Sequence, residues 1–190
     1  MAKAYSMSPL KTARRGKILD AAQILFAELG LRMTTMEVIA ARANVSKATL
    51  YSYFRDKDEI FSAVTSRIGE HVKARVGDAL NQQGSAACLV AAALNAKHDF
   101  IFELVRRSTF ASELFAAQNQ TALDQFAELN AWIENQLADV IERKGRQSAD
   151  AKAIAFLLFS ASVGIANHAQ TTEQSRAAIT RLCDSILGVS

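Results

Sequence analysis

Residues 34–57, TTMEVIAARANVSKATLYSYFRDK, gather hydrogen-bond donors around a bare strip of chain. Lys47, Thr49, Tyr51 and Tyr53 flank Ala48 and Ser52, which are small enough to let a helix approach a surface closely. Small residues ringed by hydroxyls and an ammonium group suit a DNA major groove. There a lysine donates to guanine O6 or N7, and hydroxyls reach base edges or phosphates. No other chemistry has comparable support. His71, His98 and His168 fall in separate expected helices, and no two share a metal-ligand spacing. The chain has no phosphate-cradling glycine loop, no G-x-S-x-G and no H-E-x-x-H. Neither an enzyme, a metal centre nor a cofactor is therefore expected.

Two short helices must position these donors. Met36, Ile39, Ala40 and Ala43 stand at i, i+3, i+4 and i+7, one buried helical stripe. Thr34, followed three residues later by Glu37, makes a capping box, with Thr35 as the alternative cap. Asn44 closes this helix where positive φ is wanted. Ser46 caps the second helix, whose buried face is Leu50 and Phe54. A third helix opens on the capping box Asp56 and Glu59, which places Lys57 in its first turn.

With these residues the segment resembles the helix-turn-helix of the TetR (tetracycline repressor) family of transcriptional regulators, here TT-x-x-x-IA-x-x-A-x-VSK-x-TLY-x-YF-x-x-K. The likeness runs from Lys11 to about Val64 without a gap. Asn44 stands where the family usually has glycine, and Ala48 where glycine is common; Ala48 faces the groove, so base preference changes with it. The resemblance implies a homodimer that binds a double-stranded DNA operator and answers to a small-molecule effector held in a helical body. It also implies backbone-phosphate contacts from Tyr51, Tyr53, Lys57 and Thr34 or Thr35. Lys47, Ala48 and Ser52 are the candidates for base readout, with Ser46 and Thr49 capping or touching phosphate.

A chain of 190 residues makes one or two domains and can bury a sizeable core. Its single proline, Pro9, leaves nothing later to break a helix, and helix-forming residues outweigh strand-like alternation. The expected class is all-α, with about nine helices. The first covers 12–29, with Ile18, Ala22, Leu25, Phe26 and Leu29 on one face and Gly30 at its cap. After the motif, Ile60, Val64, Ile68, Val72, Val76 and Leu80 repeat every four residues along one helix joining head to body. Residues 81–85 (NQQGS) break it, and further helices are expected over 86–107, 108–117, 121–144, 149–169 and 173–187. A DNA-binding head of residues 1–56, its motif at about 35–54, and an effector-binding and dimerisation body of residues 57–190 follow. Residues 1–57 hold ten Lys or Arg against four acids, net +6, and residues 58–190 twelve against fifteen, net −3. A basic head on an acidic body is the footprint of phosphate binding.

The helices expected over 149–169 and 173–187 are more apolar than one chain readily covers. Ile154, Leu157, Leu158, Ala161 and Ile165 share a face, while Phe156, Phe159 and Val163 leave little polar circumference. Ile179, Leu182, Cys183, Ile186 and Leu187 form a second broad stripe. A two-fold four-helix bundle would cover both, with Ser160 and Gly164 allowing close approach. The interface candidates are Leu157, Leu158, Ala161, Gly164, Ile179, Leu182 and Ile186; packing within one chain is the alternative. Polar groups on apolar ground (His98, Asn130, Asn167 and His168) each need a partner: another side chain, a water or an effector. The pocket candidates are His98, Phe102, Phe110, Phe126, Asn130, Trp132, Phe156 and Asn167.

Cys88 and Cys183 lie in separate apolar runs and read as buried thiols in a reducing compartment. The start lacks the apolar core of a signal peptide, and residues 153–166 read as too short to span a bilayer. A cytoplasmic protein with no membrane partner is expected. The favoured reading is a ligand-responsive repressor on a pseudo-palindromic operator. Its alternatives are an all-helical small-molecule binding protein without operator binding, and an activator of the same family.

Overall fold

The computed structural model describes residues 9–106, 120–144 and 148–188, and among them every regular element is helical. The helices are α1 (Pro9–Met33), α2 (Met36–Arg42), α3 (Lys47–Tyr51), α4 (Lys57–Leu80), α5 (Ala86–Arg106), α6 (Gln120–Arg143), α7 (Ser148–His168) and α8 (Thr172–Leu187). The helix expected over 108–117 lies outside the described residues. The run of α1 past residue 29 conceals a break: Gly30 sits at φ 77° and ψ 161°, a conformation open in practice to glycine alone. Contacts divide the chain into two compact units, Met1–Arg67 with Val105–Ala122, and Ile68–Leu104 with Leu123–Ser190. The division thus falls inside α4, ten residues after its start at Lys57.

The first unit closes on a small apolar core. Ile18, Ala22, Leu25 and Phe26 of α1 meet Ile39 and Ala40 of α2, Leu50 and Phe54 around α3, and Ile60, Phe61 and Val64 of α4, all fully or almost fully buried. The Phe26 and Phe61 rings meet edge to face at 5.5 Å. Burying a side chain of this size contributes roughly 1.5–3 kcal/mol, so the two α3-side anchors, Leu50 and Phe54, suffice to seat so short a helix. Leu29 departs from the expected stripe and is exposed, because the break at Gly30 turns the chain away there.

In the second unit Val72, Val76 and Leu80 of α4 pack with Val90 and Leu94 of α5, Ile133, Leu137 and Ile141 of α6, Leu158 of α7 and Ile179 of α8. The four-residue repeat of α4 is buried along its whole length, Ile60 to Leu80. On α7 the buried stripe is Ala151, Ala155, Leu158, Phe159 and Ser162, rotated from the face expected. Phe156 and Leu157 consequently point outward. Cys183 is buried, its thiol pushed up to about 12 by burial, whereas Cys88 is exposed, against expectation. Residues 150–168 are, by length and composition, apolar enough to cross a bilayer (19 residues, mean hydropathy 1.3), which corrects the shorter span read from 153–166. One side of that helix is committed to the core just described.

Candidate nucleic-acid interface

The α2–turn–α3 unit is built by caps. Thr35, not Thr34, caps α2, its hydroxyl accepting from the Val38 N–H at 3.3 Å. Thr34 is fully buried, and its hydroxyl donates to the carbonyls of Gly30 at 2.8 Å and Leu25 at 3.3 Å. Thr34 therefore ends α1 and is withdrawn as a DNA contact, whereas Thr35 is exposed. At the other end of α2 the Val45 N–H reaches Ala40 O at 3.0 Å and the Asn44 N–H reaches Ala41 O at 3.2 Å. Asn44 takes φ 53°, the left-handed residue that this double closure needs. Ser46 then caps α3, accepting from the Thr49 N–H at 3.1 Å, and the two hydroxyls lie 2.8 Å apart.

This geometry sorts the donors. Leu50 and Phe54 are buried, and Arg15 lies over the Phe54 ring at 5.1 Å, fixing α3 from below. Lys47, Ala48, Tyr51 and Ser52 are exposed on the opposite side, with Thr49 and Tyr53 half-buried beside them. The Ser52 hydroxyl donates to Thr49 O at 2.7 Å, so it offers the outside its acceptor lone pairs. Lys47 lies 2.5 Å from a Glu37 carboxylate oxygen; that hydrogen bond pulls Glu37 below the usual carboxylate range and Lys47 above the usual lysine range. Lys57 donates to Leu31 O at 2.7 Å and so ties the start of α4 to the end of α1. Asp56 caps α4 as expected, accepting from the Glu59 N–H at 2.8 Å. Farther along, Arg67 clamps Asp20 at 2.6 Å and Gln23 at 2.7 Å on α1. These three bridges span 10 to 47 residues, and no local pattern announces them.

Residues 18–64 match the family model for bacterial regulatory proteins of the tetR family. The likeness to the tetR family thus lies in the stretch from α1 to the first turns of α4. HTH-type transcriptional activator FasR of Mycolicibacterium smegmatis is 38% identical over 88 residues, 46% of this chain and 40% of FasR. HTH-type transcriptional repressor KstR2 of Rhodococcus jostii is 33% identical over 120 residues, 55% of this chain and 59% of KstR2. The chain thus spans about half the length of these curated relatives. Over nearly the whole chain, 93% of it and 97% of the other, it superimposes on a TetR-like transcriptional regulator from Rhodococcus at a TM-score of 0.70 and 25% identity.

Outside residues 18–64, the body candidates scatter. His98 is buried and hydrogen-bonded to the Ser162 hydroxyl at 2.9 Å, and that hydroxyl lies 2.7 Å from Phe159 O. Since Ser162 donates to the carbonyl, it accepts from His98 Nε2–H. Burial first, and the neighbouring Lys97 charge second, push His98 down to about 3. Phe102, Phe126, Asn130 and Trp132 are half-buried, and Lys73 lies 6.0 Å over the Trp132 ring. Phe110 lies outside the described residues. Phe156 and Asn167 are exposed and are withdrawn as pocket residues, because the rotated stripe of α7 turns both outward. Among the interface candidates, Leu158 and Ile179 are wholly buried in the body core, which removes them from an interface surface. Leu157 and Gly164 are exposed, and Ala161, Leu182 and Ile186 are half-buried.

Proposed function

We propose that this chain is a cytoplasmic, homodimeric, effector-responsive transcriptional repressor whose heads enter successive major grooves of a pseudo-palindromic operator. The observation that carries the reading is the exposed strip of Lys47, Ala48, Tyr51 and Ser52 standing over the buried anchors Leu50 and Phe54. The small residues admit the helix to the groove; Lys47 and Ser52 read base edges, while Tyr51, Tyr53, Lys57 and Thr35 hold phosphates. One such short helix reads only a few base pairs, so specificity demands a pair of heads about 34 Å apart.

Support for pairing comes from α7 and α8. Phe156 and Leu157 are exposed at 62% and 52%, and an open groove of about 560 Å³ runs past Ile165, Ala178 and Leu182. A second copy covering this strip would remove apolar surface from water on both sides of a two-fold axis. Support for an effector comes from buried polarity in the body. A cavity of about 20 Å³, room for one water-sized group, lies beside His98 and Phe102 and is lined by Ser175, whose buried hydroxyl has no hydrogen-bond partner. An effector that binds better to a conformation with misplaced heads would release the operator in proportion to that difference.

Selecting bound sequences from a random DNA pool tests the core of this proposal. A pseudo-palindrome should emerge, and its affinity should fall steeply with salt as counterions are released. Flat recovery across the pool, with no preferred sequence, would end the operator reading and leave a helical binding protein. The longer alignment with KstR2 favours repression over the direction in FasR's name. Transcription from a promoter overlapping the selected site should accordingly fall when the protein is added.

A further inference from the structure

The acid that holds Lys47 comes from another helix. Glu37 stands in the first turn of α2, two residues after the Thr35 cap. Its carboxylate is half-exposed, at 58%, and meets a Lys47 ammonium exposed at 60%. The Tyr51 ring lies 5.9 Å from the same ammonium. Lysine is a compact charge on a flexible four-carbon stem, and left free it would serve any phosphate within reach. Here the ammonium rests between a carboxylate and a ring.

We propose that Glu37 is a specificity-determining residue that positions Lys47 for a base and withholds it from the backbone. An ammonium has three donors, and Glu37 occupies one of them. Two remain for O6 and N7 of one guanine, without breaking the pair. A phosphate that took those two donors would draw the paired Glu37 carboxylate against the DNA backbone, and one beyond reach of the pair is served only by pulling the ammonium off. Random DNA therefore gains little from Lys47, while an operator with guanine at the right step gains the whole contact. The mechanism requires that the pair persist on the operator. A pair that broke there too would tax operator and random DNA alike and confer no preference. The proposal rests on the operator reading above.

The test compares wild-type protein with Glu37→Gln, Lys47→Ala and the double variant, each on the selected operator and on a random duplex of equal length. Glutamine keeps the size of Glu37 and removes its charge. In an otherwise wild-type chain, Glu37→Gln should raise random-duplex affinity roughly fivefold and steepen the random-duplex salt slope by about one. Operator affinity should stay level or fall, so the preference for operator narrows about fivefold or more. In the Lys47→Ala background the same change should leave the preference where it was, because a lost repulsion acts on both duplexes equally. An unchanged preference in the single variant, or an equal narrowing without Lys47, would overturn the proposal. A wild-type protein that treats both duplexes alike would instead remove the operator reading on which it stands.

Discussion

In the head, the side chains with chemistry to offer stand in water around a small apolar anchor; in the body, the most perturbed one is sealed inside. Lys47, Tyr51 and Ser52 surround Ala48 on the exposed side of α3, and only Leu50 and Phe54 turn inward. His98 has the opposite setting. It is buried, held neutral, and already bonded to Ser162 on a neighbouring helix. A surface proposed to meet a long, charged polymer keeps its donors solvated until contact. In the body the buried imidazole finds its partner inside the fold, and the buried Ser175 hydroxyl faces a water-sized gap. Both units bury an apolar core; what sets the head apart is that α3 turns its polar groups outward.

The sharpest break of this contrast uses two adjacent leucines on α7. Leu158 is wholly buried in the body core and Leu157 is 52% exposed. Leu158→Asp strands a charge in an apolar core and should cost at least ~4 kcal/mol, enough to abolish a cooperative melt. Leu157→Asp should melt close to wild type yet sediment as a monomer at micromolar concentration, with weakened operator binding. A Leu157→Asp protein that remains dimeric would move the interface off the exposed strip of α7.

How much of this was legible beforehand follows the range of the interactions. The caps Ser46 and Asp56, the left-handed Asn44 and the buried repeat from Ile60 to Leu80 are local, set within four residues, and sequence periodicity reads such signals directly. The face of α7 was not legible, because a helix apolar almost all round has no polar side to orient it. Burial at Ala151, Ala155, Phe159 and Ser162 was set by the helices packed against it. Thr34 was misplaced for a related reason: Thr34 and Thr35 both suit a cap, and the break at Gly30 decided between them. Long-range bonds such as Lys57 to Leu31 and Lys47 to Glu37 join helices that no spacing rule connects.

Gly30 sharpens the head side of the comparison. Its φ of 77° with ψ 161° lets α1 end while Thr34 folds back to the Gly30 and Leu25 carbonyls. Gly30→Ala should lower head stability by ~1–3 kcal/mol through backbone strain alone. Asn44→Gly, at φ 53°, should be nearly neutral, since glycine accepts that conformation freely. Chemical denaturation of both variants decides the point, and a harmless Gly30→Ala would show that this turn is not constrained.

The body answers to pH through His98. His98 is pushed down to about 3, well under its ordinary value of 6.5. Between those values the unfolded chain binds a proton that the folded chain refuses, so stability rises with pH across that window and falls on acidification. One such group contributes up to ~1.4 kcal/mol per pH unit below 6.5 and nothing further above it. His98→Gln keeps a donor toward Ser162 and should flatten the wild-type loss of stability between pH 6.5 and 5. Parallel curves for the two proteins would mean that His98 titrates normally in the fold.

The smallest effect falls where the two ways of using a polar group meet, at Lys57. Its ammonium donates to Leu31 O at 2.7 Å and lies 3.5 Å from Arg32 O, serving the fold as a C-terminal cap for α1. It is also the proposed phosphate contact at the start of α4. A capping bond of this exposure contributes on the order of 0.5–1 kcal/mol, and one phosphate contact shifts the salt slope by about one. Lys57→Ala should therefore lower the melting temperature slightly and weaken operator and random DNA by the same factor. Because three donors share one nitrogen, the carbonyl and the phosphate can be served together, and the bond to Leu31 would aim the charge outward. A variant with a lowered melt but an unchanged salt slope would make Lys57 a strut of the head alone. One with a lowered slope and an unchanged melt would show that the bond to Leu31 contributes nothing to stability, so that the exposed, DNA-facing use of polar groups extends past α3 to the first residue of α4.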